Sequence, residues 1–289
     1  IKVQRGNMLN SELNQAMRDF TAFMLPLSDA ELEREWIWKD HDEEGVRFAF
    51  FVTLQELHQL AVTLSTLRAR QTPAQHILSQ YHAAYLDLQA ALLGLPAEDE
   101  DRAPAEGEWS VRRTYAHMLS TDLNFTIVTR YALEKHRLGR WSPEKYSDQE
   151  ADRLAGLSDE EYLALINGPL TGIAAYHREL HSTILEEFST VTDQELDLPS
   201  TFWEETRFPI RHRLQRYEAH LVQHTVQIDK TLAAIGQAPS ESKRLLRRIY
   251  AAQAEAEGMM IGAENMDETV IHATASSIAG RIKEIRNLL

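Results

Sequence analysis

The sequence predicts an all-α protein, and three features carry that prediction. Prolines and glycines are sparse, nine and twelve in 289 residues, and proline-free stretches run over 74–95, 105–142, 170–198, 210–238 and 240–289. Those lengths suit helices and exceed ordinary strands. Helix starts and stops are legible at the ends of the stretches, and apolar residues recur along them at three and four, with no convincing alternating strand.

The elements follow in order. Ser28-Asp-Ala-Glu31 fits a capping box, in which a hydroxyl and a carboxylate satisfy each other's free backbone N–H groups. Asp40, Asp42, Glu43 and Glu44 read as a solvated loop, and Phe48–Val52 is the densest apolar patch. Thr72-Pro73 offers a hydroxyl at the N-cap and proline at the first helical position, and Gly94-Leu-Pro96 stops that helix. A linker rich in Pro, Asp, Glu and Ala covers 96–108. A helix near 110–137 stops at Gly139, and 138–148 is a second linker. Ser158-Asp-Glu-Glu161 and Thr192-Asp-Gln-Glu195 are two further capping boxes, on either side of a helix near 170–190; a third linker covers 199–209. Leu214, Tyr217, Leu221, Ile228, Leu232 and Ile235 form one apolar stripe that ends at Gly236 and Pro239, and Ile271, Ala275, Ile278, Ile282, Ile285 and Leu289 form another.

Composition narrows function. The chain carries 43% apolar and 26% charged residues, with a formal charge of −14 and a pI near 5.3. That balance argues against nucleic acid and against an anionic membrane surface as partners. With no cysteine, disulfide scaffolds, thiolate metal sites and a protein-borne thiol nucleophile are excluded; thiol chemistry needs an external thiol. No apolar run reaches the ~20 residues that span a bilayer and no signal peptide is visible, so a cytoplasmic protein is expected. Residues 1–7 read as an extraneous lead, with Met8 as the natural start. No P-loop, dinucleotide glycine motif or Gly-x-Ser-x-Gly elbow occurs.

Histidines are the chemical candidates. His220 and His224 lie four apart, so a helix puts both on one face with Cβ atoms ~5–6 Å apart, close enough for both rings to reach one metal at ~2.0–2.1 Å. Spacing alone is weak, because twelve histidines in 289 residues give roughly half such a pair by chance, and His177/His181 is a second one on the i, i+4 face. His117 falls mid-helix among apolar neighbours and, taken alone, reads as a core or interface histidine. Asp122, five residues after His117, is rotated by about 500° and off that face. His177 shares a stripe with Ile173, Leu180 and Ile184 and reads as a hydrogen-bonded core residue before it reads as a fourth ligand. Trp109 reads as packing at the helix start.

Trp109-Ser-Val-Arg112, Ala116-His117 and Asp122, followed by Glu218, His220, His224 and Gln227-Ile228, resemble the second and last helices of the DinB/YfiT superfamily of metal-dependent enzymes. Two motifs in order, about a hundred residues apart, are more specific than either alone. The resemblance covers about 73–238. It implies a four-helix bundle with a long connection between helices two and three, and His117, His220 and His224 as ligands of a divalent metal, zinc, nickel or iron. Arg113 departs from the family, standing where an acid is expected. Three imidazoles leave coordination positions open, the arrangement of a catalytic site. Such members act on small molecules, as S-transferases, isomerases or hydrolases, several with a low-molecular-weight thiol. Gln227 is placed to orient His224, and Tyr217, three before His220, could offer a phenol to the metal or simply belong to the apolar stripe; no catalytic residue follows beyond these two candidates. Metal occupancy should fall as pH drops through about 6, where free imidazoles protonate.

The expected organisation is an N-terminal helical segment over 1–72, the bundle over 73–238 and a C-terminal helical hairpin over 239–289. The flanks should pack as a second helical layer without ligands. A shift of 160 positions superposes Arg47-Phe48 on Arg207-Phe208 and Leu54-Gln55 on Leu214-Gln215, a thin sign of a degenerate repeat in which Leu60 and Leu64 replace His220 and His224. Two other functions suit the same residues: a non-enzymatic metal or small-ligand binding protein, and a structural module that forms a homodimer.

Overall fold

The computed structural model describes residues 11–39, 41, 45–204, 206–264 and 266–289. The expectations for 1–7 with Met8, and for the acidic run Asp40, Asp42, Glu43 and Glu44, lie outside the described residues. In chain order the helices are α1 Ser11–Met24, α2 Asp29–Leu32, α3 Phe48–Leu67, α4 Pro73–Ala91, α5 Val111–Arg137, α6 Asp148–Ala155, α7 Asp159–Ile166, α8 Leu170–Phe188, α9 Asp193–Leu196, α10 Ile210–Ala234, α11 Glu241–Gly258 and α12 Glu268–Leu288. The caps that the sequence predicts are present. Ser28, Ser158 and Thr192 each close a full capping box, Thr72 Oγ1 accepts from the Gln75 N–H, and Gly94, Gly139 and Gly236 turn at positive φ. At Gly139 and Gly236 this left-handed turn ends a helix where a Cβ would be strained.

The chain forms two compact units. One comprises the segments up to Arg70, Gln89–Gly94 and Ala238–Leu289; the other comprises Gln71–Leu88 and Leu95–Gln237. The two flanks thus make one body. Within it α3 packs against α11 and α12, and α1 against α12. The core is Leu13, Met17 and Phe20 of α1, Phe50, Leu57, Leu60 and Leu64 of α3, Leu246 and Ile249 of α11, and the α12 stripe from Ile271 to Ile285. Leu60 and Leu64 are therefore core residues. Leu289, the last member of the expected stripe, is exposed, because α12 ends at Leu288 and the final residue leaves the helix. The buried Arg281 guanidinium donates to Glu56 Oε1 at 3.0 Å and lies 5.1 Å from the Trp38 ring centre, so this buried charge has its partner. Ile278 has no exposed surface; Ile278→Ala is expected to cost about 2–5 kcal/mol, as large-to-small changes in packed cores do, and a chemical-denaturation series on the full chain checks it.

The second unit is a bundle of α4, α5, α8 and α10, with α6 and α7 in the long connection after α5. Its interior takes the stripe Leu214, Tyr217, Leu221, Ile228, Leu232 and Ile235, all buried. The 199–209 linker differs from expectation. Pro199–Ser200 and Phe208–Pro209 pair as a minimal antiparallel ladder. Arg213, fully buried, fastens it by donating to Ser200 Oγ and Glu204 Oε1, each at 2.9 Å. A two-residue ladder is too short to show as an alternating pattern.

Candidate metal centre

Two helices bring the three motif histidines together. Ser110 caps α5 by accepting from the Arg113 N–H at 3.2 Å, which sets the register that carries His117 two turns in. α10 presents His220 and His224 one turn apart, and α5 and α10 pack closely along their lengths. Nε2 of His117 lies 3.2 Å from Nε2 of His220. Ring centres are 4.4 Å apart for His220/His224 and 4.8 Å for His117/His224. One nitrogen from each of the three lies within 4.8 Å of the others, the only such group of His, Asp or Glu among the described residues. Two bonds of ~2.1 Å reach about 4.2 Å at most, so a small ring rotation would close the set. His220 and His224 are buried and His117 is partly exposed.

The surroundings fit a ligand set. His224 Nδ1 lies 2.8 Å from Gln227 Oε1. An amide oxygen can only accept, so Nδ1 carries the proton and the His224 Nε2 lone pair is left free. Trp109 closes one side: its ring stacks on His224 at 6.5 Å and meets His117 edge-on at 5.1 Å. Phe125 meets His220 edge-on at 6.3 Å. Two cavities open on the cluster. One, of about 490 Å³, includes His117, Ser110, Arg113, Ser120 and Asn167 in its lining. The other, of about 480 Å³, includes His224, Trp109, Gln227 and Lys230. A sequence model of the DinB superfamily matches residues 80–228, just over half the chain and all three histidines. The protein belongs to the DinB superfamily. No curated protein and no solved structure matches it.

Other predicted residues of this DinB protein stand elsewhere. The Tyr217 hydroxyl pairs with Thr126 Oγ1 at 2.9 Å and its ring packs on Tyr81 and Phe125, with no exposed surface. It therefore belongs to the apolar stripe and the bundle interior. Trp109, expected only to pack at a helix start, is a wall of the histidine cluster. That role escaped the sequence because it depends on the α5–α10 pairing.

A second buried polar system went unread. Asp122, turned off the His117 face as its rotation predicts, points into the bundle. Its Oδ2 accepts from Tyr81 Oη at 2.9 Å and from His177 Nε2 at 3.0 Å, while Oδ1 has no partner among the described residues. His177 Nδ1 in turn meets the Tyr115 hydroxyl at 3.3 Å. His82 Nδ1 and His181 Nε2 lie 3.2 Å apart, and the Tyr85 ring stacks on His181 at 3.9 Å. His177 is thus the hydrogen-bonded core histidine and no part of the three-histidine group. Burial raises the Asp122 carboxyl against the opposing pull of His177 and Tyr81. Burial, with His82 and His177 nearby, pushes His181 well below its ordinary value.

Burial favours neutral imidazoles at His220 and His117. Burial first, then the neighbouring His224 and His117, takes His220 down to about 3. Burial and His224 also lower His117. At these two rings a proton competes with a metal ion only at a lower pH than at a free imidazole. For the metal-free protein the sign is definite: unfolded His220 binds a proton below about 6.5 and the folded ring does not, so stability falls as pH drops from 6.5 toward 3. One proton corresponds to ~1.4 kcal/mol per pH unit. His220→Gln is expected to flatten that slope by up to one proton, read from denaturation free energies between pH 4 and 6.5.

Proposed function

We propose that this DinB protein is a metal-dependent enzyme acting on a small molecule, with His117, His220 and His224 holding a divalent zinc, nickel or iron ion. The observation that carries the reading is the meeting of three converging imidazoles with two cavities, about 490 and 480 Å³, the size range of small-molecule sites. A divalent ion held there supplies Lewis acidity and lowers the pKa of a water or thiol bound to it.

The chain's own residues do the rest. Gln227 fixes the tautomer and angle of His224. Trp109 and Phe125 keep bulk water from two sides of the cluster and so strengthen charge interactions inside it. No side chain of the chain is a thiol, so sulfur transfer would use an external low-molecular-weight thiol; hydrolysis would use water. Both are consistent with an ion left partly open to the cavities.

Loading the full chain with cobalt(II) or zinc tests the reading. One equivalent per chain is expected, with X-ray absorption showing three nitrogen neighbours and at least one exchangeable oxygen. Failure to bind, or four protein ligands with no exchangeable position, would overturn it.

A further inference from the structure

Resting on the metal reading, we infer that Arg113 is a specificity-determining residue that anchors a carboxylate on the substrate beside the metal. Arg113 and His117 stand at i and i+4 on α5, hence on one face of the helix, and both line the cavity of about 490 Å³. The guanidinium lies 5.1 Å from the Trp109 ring centre, the same ring that flanks His117 and His224. The Arg113 side chain is exposed, rests against this ring and makes no ion pair among the described residues.

Arg113 is the third residue of α5, where the helix dipole and free N–H groups present positive charge and disfavour a cation. Arg112, beside it, has the same problem, and Asp101 answers it at 2.7 Å. No carboxylate among the described residues does so for Arg113. A carboxylate bound in the cavity would answer both the guanidinium and the helix end, in the geometry that planar guanidinium favours. With a chain charge of −14 there is no bulk attraction for an anion; Arg112 lines the same cavity but is paired with Asp101, which leaves Arg113 as the cavity's cation without an ion pair among the described residues. Glu108 lines both cavities. In the other cavity the cation is Lys230, on the His224 side.

The probe is the cobalt(II)-loaded full chain, titrated with 3-mercaptopropionate, 2-mercaptoethanol and cysteamine and read by the sulfur-to-cobalt absorption band. The quantity compared is the ratio of dissociation constants between wild type and variant, which removes the intrinsic differences among the thiols. Wild type should favour the carboxylate by roughly tenfold over what Arg113→Gln shows, the size of one charge-assisted hydrogen bond. Arg113→Gln should keep cobalt affinity and the binding of the other two thiols, and Lys230→Gln should keep the preference. An unchanged ratio in Arg113→Gln, or a ratio lost in Lys230→Gln instead, overturns the inference and leaves the metal reading standing. Failure of wild type to bind cobalt overturns the metal reading and this inference with it.

Discussion

His220→Ala is expected to lower divalent-metal affinity by more than about 100-fold, since removing groups that merely orient ligands already costs 10–100-fold. His220 contacts both other rings, with its Nε2 3.2 Å from that of His117, and its loss leaves one histidine on each helix. Calorimetric titration with zinc measures the change. Far-UV circular dichroism should stay that of the wild type, because Leu214, Tyr217, Leu221, Ile228 and Leu232, which seat α10, are untouched. Lowering the pH from 7 to 5 should cost the metal-free variant less stability than it costs the wild type, whose buried His220 ring resists its proton. Wild-type affinity in the variant would mean that the three histidines are not the ligands.

The second large effect lies in the bundle core. Asp122→Ala is expected to destabilise the protein by about 3–5 kcal/mol, the cost of removing one partner from a buried pair. It strips the common acceptor from Tyr81 and His177 and leaves two buried donors without a partner. A fall in melting temperature on the order of 10 °C follows from the usual scaling for domains of this size. Asp122→Asn should fall between, because its oxygen still accepts while its new amide meets the place where Oδ1 has no partner. Equal stability for Asp122→Ala would show that the network contributes nothing to the fold. Metal affinity should change little in either variant, which separates this network from the histidine cluster.

What the sequence revealed and what it hid divide by range. Helix ends were readable because a cap is a local event: Ser28, Ser158 and Thr192 each find their carboxylate three residues on. The histidine cluster was readable because two of its members share one helical turn and the third lies in a motif that resembles a known one. Gln227 was readable for the same reason, three residues from the ring it holds. The Asp122 network was not. Its partners Tyr81 and His177 lie 41 and 55 residues away on other helices, and no spacing rule links them. Arg213 reads in sequence as a surface cation; that it is buried and fastens the 199–209 segment depends on a fold of that segment with no periodic signature. Low imidazole basicity at His220 is likewise a product of burial.

On the proposed reading the three ligands come from two helices, α5 and α10. The segment between them holds α6, α7, α8 and α9. On the proposed reading an ion shared by His117 and His220 is a removable staple across positions 103 apart. Closing a loop of that length restricts the unfolded chain in the way a long-range cross-link does, and the benefit grows slowly with the length enclosed. The ion would then tie the stability of the whole connecting segment to its own availability, so that metal supply sets how long this bundle survives as well as what it can catalyse.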